Sequence, residues 1–309
     1  MVFIMVILRN LFLFLIFPGF LFAAIMGMLA CWVDRKVTAR IQYRVGPPWY
    51  QNFADTFKLL GKEIIIPAQK TLVFLLAPLA GLIAASVVAS LLGQVLLNRE
   101  SLFVADLIVV IYLLAIPAIS LIIGAFSSAN PLASVGGSRE MKMVLAYELP
   151  FILAVSIVII KAGGIGIIDI ISYQQSEGSI AMSASGVIGF LVALLCMQAK
   201  LGLVPFDASE AEQEIMAGTV IEYSGLPLAM FRLTRFILFY ALPLFLIILF
   251  LGASIDIFSL VYKYILILIG ITLIRNTNPR LRIDQAIRFF WFILTPLAAL
   301  GVALAFLGK

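Results

Sequence analysis

Histidine is absent from the 309 residues, cysteine occurs twice, and charged side chains make up 12% of the chain. Each shortage excludes something. Without histidine, and with Cys31 and Cys196 far apart and outside any CxxC pair, the chain alone supplies no His-ligated haem, zinc site or four-cysteine iron–sulfur set. No metal site of its own is expected, and any metal belongs to a partner. A Walker loop, a dinucleotide fingerprint and a nucleophile–base arrangement are also missing, so no catalytic residue is expected; Gly163-Gly-Ile-Gly166 reads only as a short turn. A soluble domain carries roughly 25% charged residues, and this chain has too few to cover a water-facing surface.

What fills the sequence is apolar: 63% of positions are hydrophobic, in long uncharged runs. A helix needs about 20 such residues to cross the roughly 30 Å of hydrocarbon. Spans are expected near 10–33, 71–97, 105–126, 143–162, 182–200, 227–252, 256–275 and 287–307. The first is read as a retained span and not a signal peptide, because Asn10 to Val33 is uncharged and ends in Asp34, Arg35 and Lys36. Lys263 interrupts the seventh and is expected to snorkel between Tyr262 and Tyr264. The expected fold is an all-α integral membrane protein of about eight transmembrane helices, one polytopic domain over 1–309. The net charge of +5 is spread between apolar runs, which argues for topology signals and against nucleic acid.

Sixteen of the 21 basic residues fall on one set of alternate loops, which the positive-inside rule places in the cytoplasm, with both termini outside. The cytoplasmic segments are then 34–70, 127–142, 201–226 and 276–286. In the first, Phe53, Phe57, Leu60 and Ile64 recur at three- and four-residue spacing with Asp55, Lys58 and Lys62 elsewhere, the pattern of an amphipathic surface helix.

Two constellations carry candidate chemistry. In Val204 to Gly218, Asp207 is placed to cap a helix, Glu210 follows at capping-box spacing, and Gly218 stands where such a helix would close. That helix would align Asp207, Glu210 and Glu214, with Glu212 on another side and Glu222 beyond. Coupled carboxylates near a membrane suit a proton or ion relay; a solvated acidic helix is the alternative. The second is Glu148, inside the fourth apolar run after Arg139 and Glu140, where an ionised side chain is costly and an interfacial pair with Arg139 is the plainer option. Ser138 is a candidate helix cap there, and Lys200 a candidate counter-charge for the carboxylates.

Three blocks together resemble one family: subunit 1 of respiratory complex I, the H subunit of bacteria, and its relatives in membrane-bound group 4 nickel–iron hydrogenases. They are Arg44-Val-Gly-Pro47 with Gln51, Asp55, Lys58, Leu59, Lys62 and Glu63; Arg139 with Tyr147-Glu148; and Pro205-Phe-Asp207 through Glu210, Glu212, Glu214, Gly218 and Glu222-Tyr-Ser-Gly225. The resemblance implies a helical subunit joining a soluble redox arm to antiporter-like membrane subunits, in the cell membrane. Relay positions would be Glu140, Glu148, Lys200, Asp207, Glu210, Glu212, Glu214 and Glu222; docking positions would be Arg40, Arg44, Asp55, Lys58, Lys62, Glu63 and Arg139. A nickel–iron centre and iron–sulfur clusters would sit in soluble large and small partner subunits. Arg44 reaches Gln51 in seven steps and Asp55 in eleven, shorter than in complex I relatives and like the hydrogenase branch. Many relatives have a glutamate where this chain has Lys200.

Overall fold

The computed structural model describes residues 2–67, 72–97, 106–254 and 256–308. Lys70, Arg99 and Lys309 of the charge count, and the side chain of Glu212, lie outside the described residues. The helices are α1 Val2–Leu15, α2 Phe20–Ile41, α3 Gln51–Leu60, α4 Leu72–Leu97, α5 Leu107–Ser127, α6 Pro131–Ala162 and α7 Ile167–Glu177. There follow α8 Ala184–Lys200, α9 Glu212–Ile215, α10 Gly225–Phe250, α11 Ile257–Thr277, α12 Ile283–Phe289, a π-turn over Phe290–Leu294, and α13 Thr295–Phe306. Among the described residues there is no strand, only an isolated bridge between Asp106 and Gly166. The chain is an all-α membrane protein.

Among the described residues, seven helical stretches are long and apolar enough to cross a membrane: Leu8–Ile41, Leu72–Leu97, Leu107–Ser127, Pro131–Ala162, Gly225–Phe250, Ile257–Thr277 and Ile283–Phe306. The eighth expected span is the shorter apolar helix Ala184–Lys200, about 25 Å long at 1.5 Å per residue. Lys263 does not interrupt α11. Its ammonium caps the end of α10 through the carbonyls of Leu251 at 2.6 Å and Ser254 at 2.7 Å.

Three boundaries differ from the sequence reading. The first run is two helices, because Pro18 has no N–H to continue a helical ladder; Gly93 of α4 leaves room for its ring, since a Cβ there would lie 2.5 Å from Pro18 Cβ. The fourth span begins at Pro131 and not near 143, so Ser138 lies mid-helix and is no cap. The start signal is Asn130-Pro131: the Asn130 side chain accepts the Leu132 N–H at 2.8 Å, and proline takes the first-turn position that needs no donor. Thirty-two residues make α6 about 48 Å long, more than the hydrocarbon requires. Finally, α3 stops at Leu60, leaving Ile64 outside the helix.

The chain forms two compact units. The first comprises Met1–Phe103, Val109–Gly137 and Glu212–Ala241; the second comprises Val104–Ile108, Ser138–Ala211 and Leu242–Lys309. In the first, Phe74 and Tyr223 rings stack at 4.0 Å, Tyr223 Oη donates to the Phe74 carbonyl at 3.1 Å, and Phe231 closes the cluster edge-on. In the second, aromatic side chains from α6, α8 and α10 pair as Phe151 with Phe245, both buried, and the half-buried Phe190 with Phe250.

Candidate functional site

In the second unit, α6 carries Tyr147 and Glu148 side by side, one turn before Phe151. Lys200 is the last residue of α8, where the carbonyl end of the helix favours a cation. Its ammonium lies 2.7 Å from Glu148 Oε2, with the lysine side chain 4% and the glutamate side chain 23% exposed. The same nitrogen sits 5.0 Å from the centre of the Tyr147 ring and 4.8 Å from that of Phe151, within cation–π range of both. Glu148 is therefore paired with Lys200 and not with Arg139. Removing one member of a buried pair costs on the order of 3–5 kcal/mol, because the other charge is left uncompensated.

From the Tyr147 ring an aromatic series runs through Phe290 at 6.3 Å to Phe206 at 4.8 Å, with Phe289 against Phe206 at 5.9 Å. Phe290 opens the π-turn, whose widened ladder frees a carbonyl; Thr295 Oγ1 donates to the Phe290 carbonyl at 2.8 Å. Next to Phe206, Asp207 pairs with Arg280 at 2.7 Å. Backbone contacts hold this loop: Leu281 N donates to the Pro205 carbonyl at 3.1 Å, Arg139 Nη1 to that of Ala208 at 3.3 Å, and Gln198 Nε2 to that of Val204 at 2.8 Å.

The expected acidic helix does not form. Asp207 to Ala211 are turns, and α9 is only four residues long. A helix this short does not repay its nucleation, Glu210 and Glu214 would repel at four-residue spacing, and Met216 and Ala217 adopt left-handed conformations that end it. Asp207 caps nothing, and there is no helical stripe of Asp207, Glu210 and Glu214. Gly218, at φ +45°, opens a short 3₁₀ turn instead of closing a helix. Glu140 is buried on α6, Glu210 is half-buried and Glu214 is exposed.

Burial pushes the Asp207 carboxyl above the ordinary aspartate value, with Arg280 opposing. The sign follows: a raised carboxyl favours the protonated folded state, so its contribution is present below the ordinary value of about 3.9 and is lost as pH rises through the raised one. The melting temperature of wild type relative to Asp207→Asn should therefore fall as pH rises across that window, measured by thermal unfolding of purified protein in detergent. A difference that stays flat with pH overturns this assignment.

In the first unit, α3 is held by its polar side. Arg35 Nη1 donates to Asn52 Oδ1 at 2.8 Å, Asn52 Nδ2 to the Met28 carbonyl at 2.7 Å, and Trp32 Nε1 to the Pro47 carbonyl at 3.1 Å. Phe57 and Leu60 point outward, the side a surface helix gives to lipid or a partner. Gln51 Nε2 donates to Asp55 at 2.8 Å; Arg40, Arg44, Lys58, Lys62 and Glu63 are exposed. The Glu222 to Gly225 stretch rests on the segment after α3. Ser224 Oγ accepts from Ile65 N at 2.9 Å, and a Cβ on Gly225, at φ +59°, would meet the Lys62 carbonyl at 2.6 Å. Glu222 accepts from Asn130 Nδ2, and burial pushes the Tyr223 phenol up to about 12.

Sequence reasoning gave no role to Tyr147, Phe151, Phe206, Arg280 and Phe290, although Tyr147 and Phe206 stand in the motifs that carry the resemblance. The first two had a local signal, since both flank Glu148 on one helix; the other three are joined to the site only by folding. Among the described residues no three Cys, Asp or Glu side chains form a metal set.

These features define a polytopic helical membrane protein with a counter-charged carboxylate inside a span. The model of the NADH dehydrogenase family matches residues 13–306, and the chain belongs to that family. It is 34% identical over 304 residues to the NADH-quinone oxidoreductase H subunit of Anoxybacillus flavithermus, covering 92% of this chain and 88% of that protein. The corresponding protein of Brevibacillus brevis is 32% identical over 315 residues, covering 94% and 91%. Among solved structures, a chain of the membrane-bound sulfane sulfur reductase, an archaeal respiratory membrane complex, superposes with a TM-score of 0.84 at 30% identity, covering 93% of this chain and 96% of that one. Such relatives are subunits of membrane respiratory complexes.

Proposed function

We propose that this chain is the membrane anchor and coupling subunit of a redox-driven, ion-translocating complex of the ferredoxin-linked nickel–iron hydrogenase type or a close relative. The observation that carries the reading is the Glu148–Lys200 pair. An ionised carboxylate inside a span is expensive and marks an ion pathway by default, and this one already has a counter-charge against which its charge can change. Glu140, Asp207, Glu210, Glu212, Glu214 and Glu222 are the further relay candidates. Arg40, Arg44, Asp55, Lys58, Lys62, Glu63 and Arg139 are the docking candidates for soluble large and small subunits that carry the metals. Antiporter-like subunits are the expected membrane partners. The cell membrane is the expected location, and the positive-inside rule puts both termini outside.

A sulfur-reducing respiratory complex among the similar structures supports an arm that does not reduce quinone. The names of the curated relatives favour a second reading, a quinone-reducing subunit. Purification through this chain decides between them. The first reading expects a co-purifying nickel–iron subunit, crosslinked to sites placed at Arg44, Lys58 and Arg139, and no bound quinone. A stoichiometric quinone without nickel would establish the second reading, and crosslinks reaching only lipid or this same chain would remove the anchor role. A stand-alone transporter would purify alone.

A further inference from the structure

Neutralising Glu148 would ordinarily strand a buried ammonium. Lys200 is the more deeply enclosed member of the pair, 4% exposed against 23% for Glu148, and a cation there with no other support would hold the carboxylate charged. A relay group locked in one charge state relays nothing. Two rings change this. Tyr147 and Phe151 present their faces to the same ammonium at 5.0 and 4.8 Å, and both belong to the helical turn that carries Glu148. Lys263 makes the contrast, since its ammonium is held by backbone carbonyls.

We propose that Lys200 is a positioning residue that keeps Glu148 a carboxylate at rest, and that the Tyr147 and Phe151 faces hold its ammonium when Glu148 takes up a proton. The inference rests on the reading of Glu148 as a relay carboxylate and names what lets it change charge. A proton handed on by the preceding proton carrier of the relay adds to the Glu148 carboxylate and breaks the charge-assisted hydrogen bond. Lys200 keeps its three protons and its charge, so the site passes from neutral to singly positive and returns when the proton leaves. The C-terminal carbonyls of α8 favour the cation in both states. Other titratable groups acting on the cluster are Tyr147 and Cys196, with Glu140 acting on Tyr147.

Infrared spectroscopy of the assembled complex reads the charge of Glu148 directly. Lys200→Met should produce the C=O stretch of a buried carboxylic acid in the resting complex, absent from wild type and abolished in Glu148→Gln/Lys200→Met. Lys200→Arg, which keeps a cation, should not show it. Phe151→Leu keeps the ion pair but removes a ring face, so the resting spectrum should match wild type. Its turnover-induced Glu148 band should then shrink about tenfold, the scale of one desolvated cation–π contact. The outward-facing control Leu149→Ala should change neither. If Lys200→Met does not assemble, the Phe151→Leu result decides alone. No acid band in an assembled Lys200→Met complex, or a Phe151→Leu turnover band equal to that of the control, overturns the proposal. These outcomes are read from Glu148 and not from transport; the coupling reading fails separately, if Glu148→Gln sustains a normal ion gradient.

Discussion

Replacing Glu148 by Gln is expected to leave the complex assembled while lowering ion-gradient formation at least about a hundredfold, the lower end of the scale on which a positioned proton-transfer group acts. Glutamine has nearly the same volume, and its amide oxygen can still accept from the Lys200 ammonium now 2.7 Å from Glu148. The rings of Tyr147 and Phe151 remain around the cation. What disappears is the ability to gain and lose a proton. If electron transfer is tightly coupled to pumping, turnover falls with the gradient. Both are measured on complex reconstituted in vesicles, with assembly checked by subunit content. Glu214→Gln is the companion variant, and its effect should be smaller because Glu214 is exposed. Wild-type gradient and turnover in Glu148→Gln would end the relay reading and leave a scaffold.

The largest effect on stability is expected from Gln174→Leu. Gln174 is fully buried on α7, and its amide serves three backbone groups at the end of α10. Nε2 donates to the carbonyls of Ile248 at 2.9 Å and Leu249 at 3.2 Å, while Oε1 accepts from Gly252 N at 2.7 Å. The last carbonyls of a helix have no partner within it. Leucine fills the same space but answers none of the three, and each buried group left unmade costs roughly 1–3 kcal/mol, so a loss of roughly 3–9 kcal/mol is expected. Thermal unfolding in detergent should show a large drop, or the chain should disappear from membranes. Gln175→Leu, one step along on the exposed side, is the control. Equal melting of the two variants would remove the anchoring role.

The spans were legible because the bilayer imposes a length and polarity rule that acts along the chain one run at a time. Glu148 was legible for the same reason, as a carboxylate that breaks that rule. The failures have a different physics. The acidic segment carries a valid capping pattern, but the local signal assumed that a helix followed; Asp207 found Arg280 instead, 73 positions away. For α3, the sequence marked the apolar stripe that the surface helix does turn outward; what it did not mark is the polar side that holds the helix, where Asn52 meets both the Met28 carbonyl and the Arg35 guanidinium. Asn130-Pro131 was a readable start signal that the hydropathy pattern concealed: the first eleven residues of α6, Pro131 to Met141, include the charged Arg139 and Glu140 that marked a loop.

By itself, the sequence determined the solvent of this protein, its all-helical fold, where the spans lie and which carboxylate is out of place, since each follows from transfer free energies and helix geometry within a single run. Only the tertiary structure decided what that carboxylate faces. Lys200 could have paired with any acid of the neighbouring loop, and Arg139 stood closer to Glu148 in sequence. The helix ends bring the Lys200 ammonium to Glu148 and enclose it between two rings of α6. Coulombic and cation–π energies depend on distance and burial, and neither is a property of position along the chain.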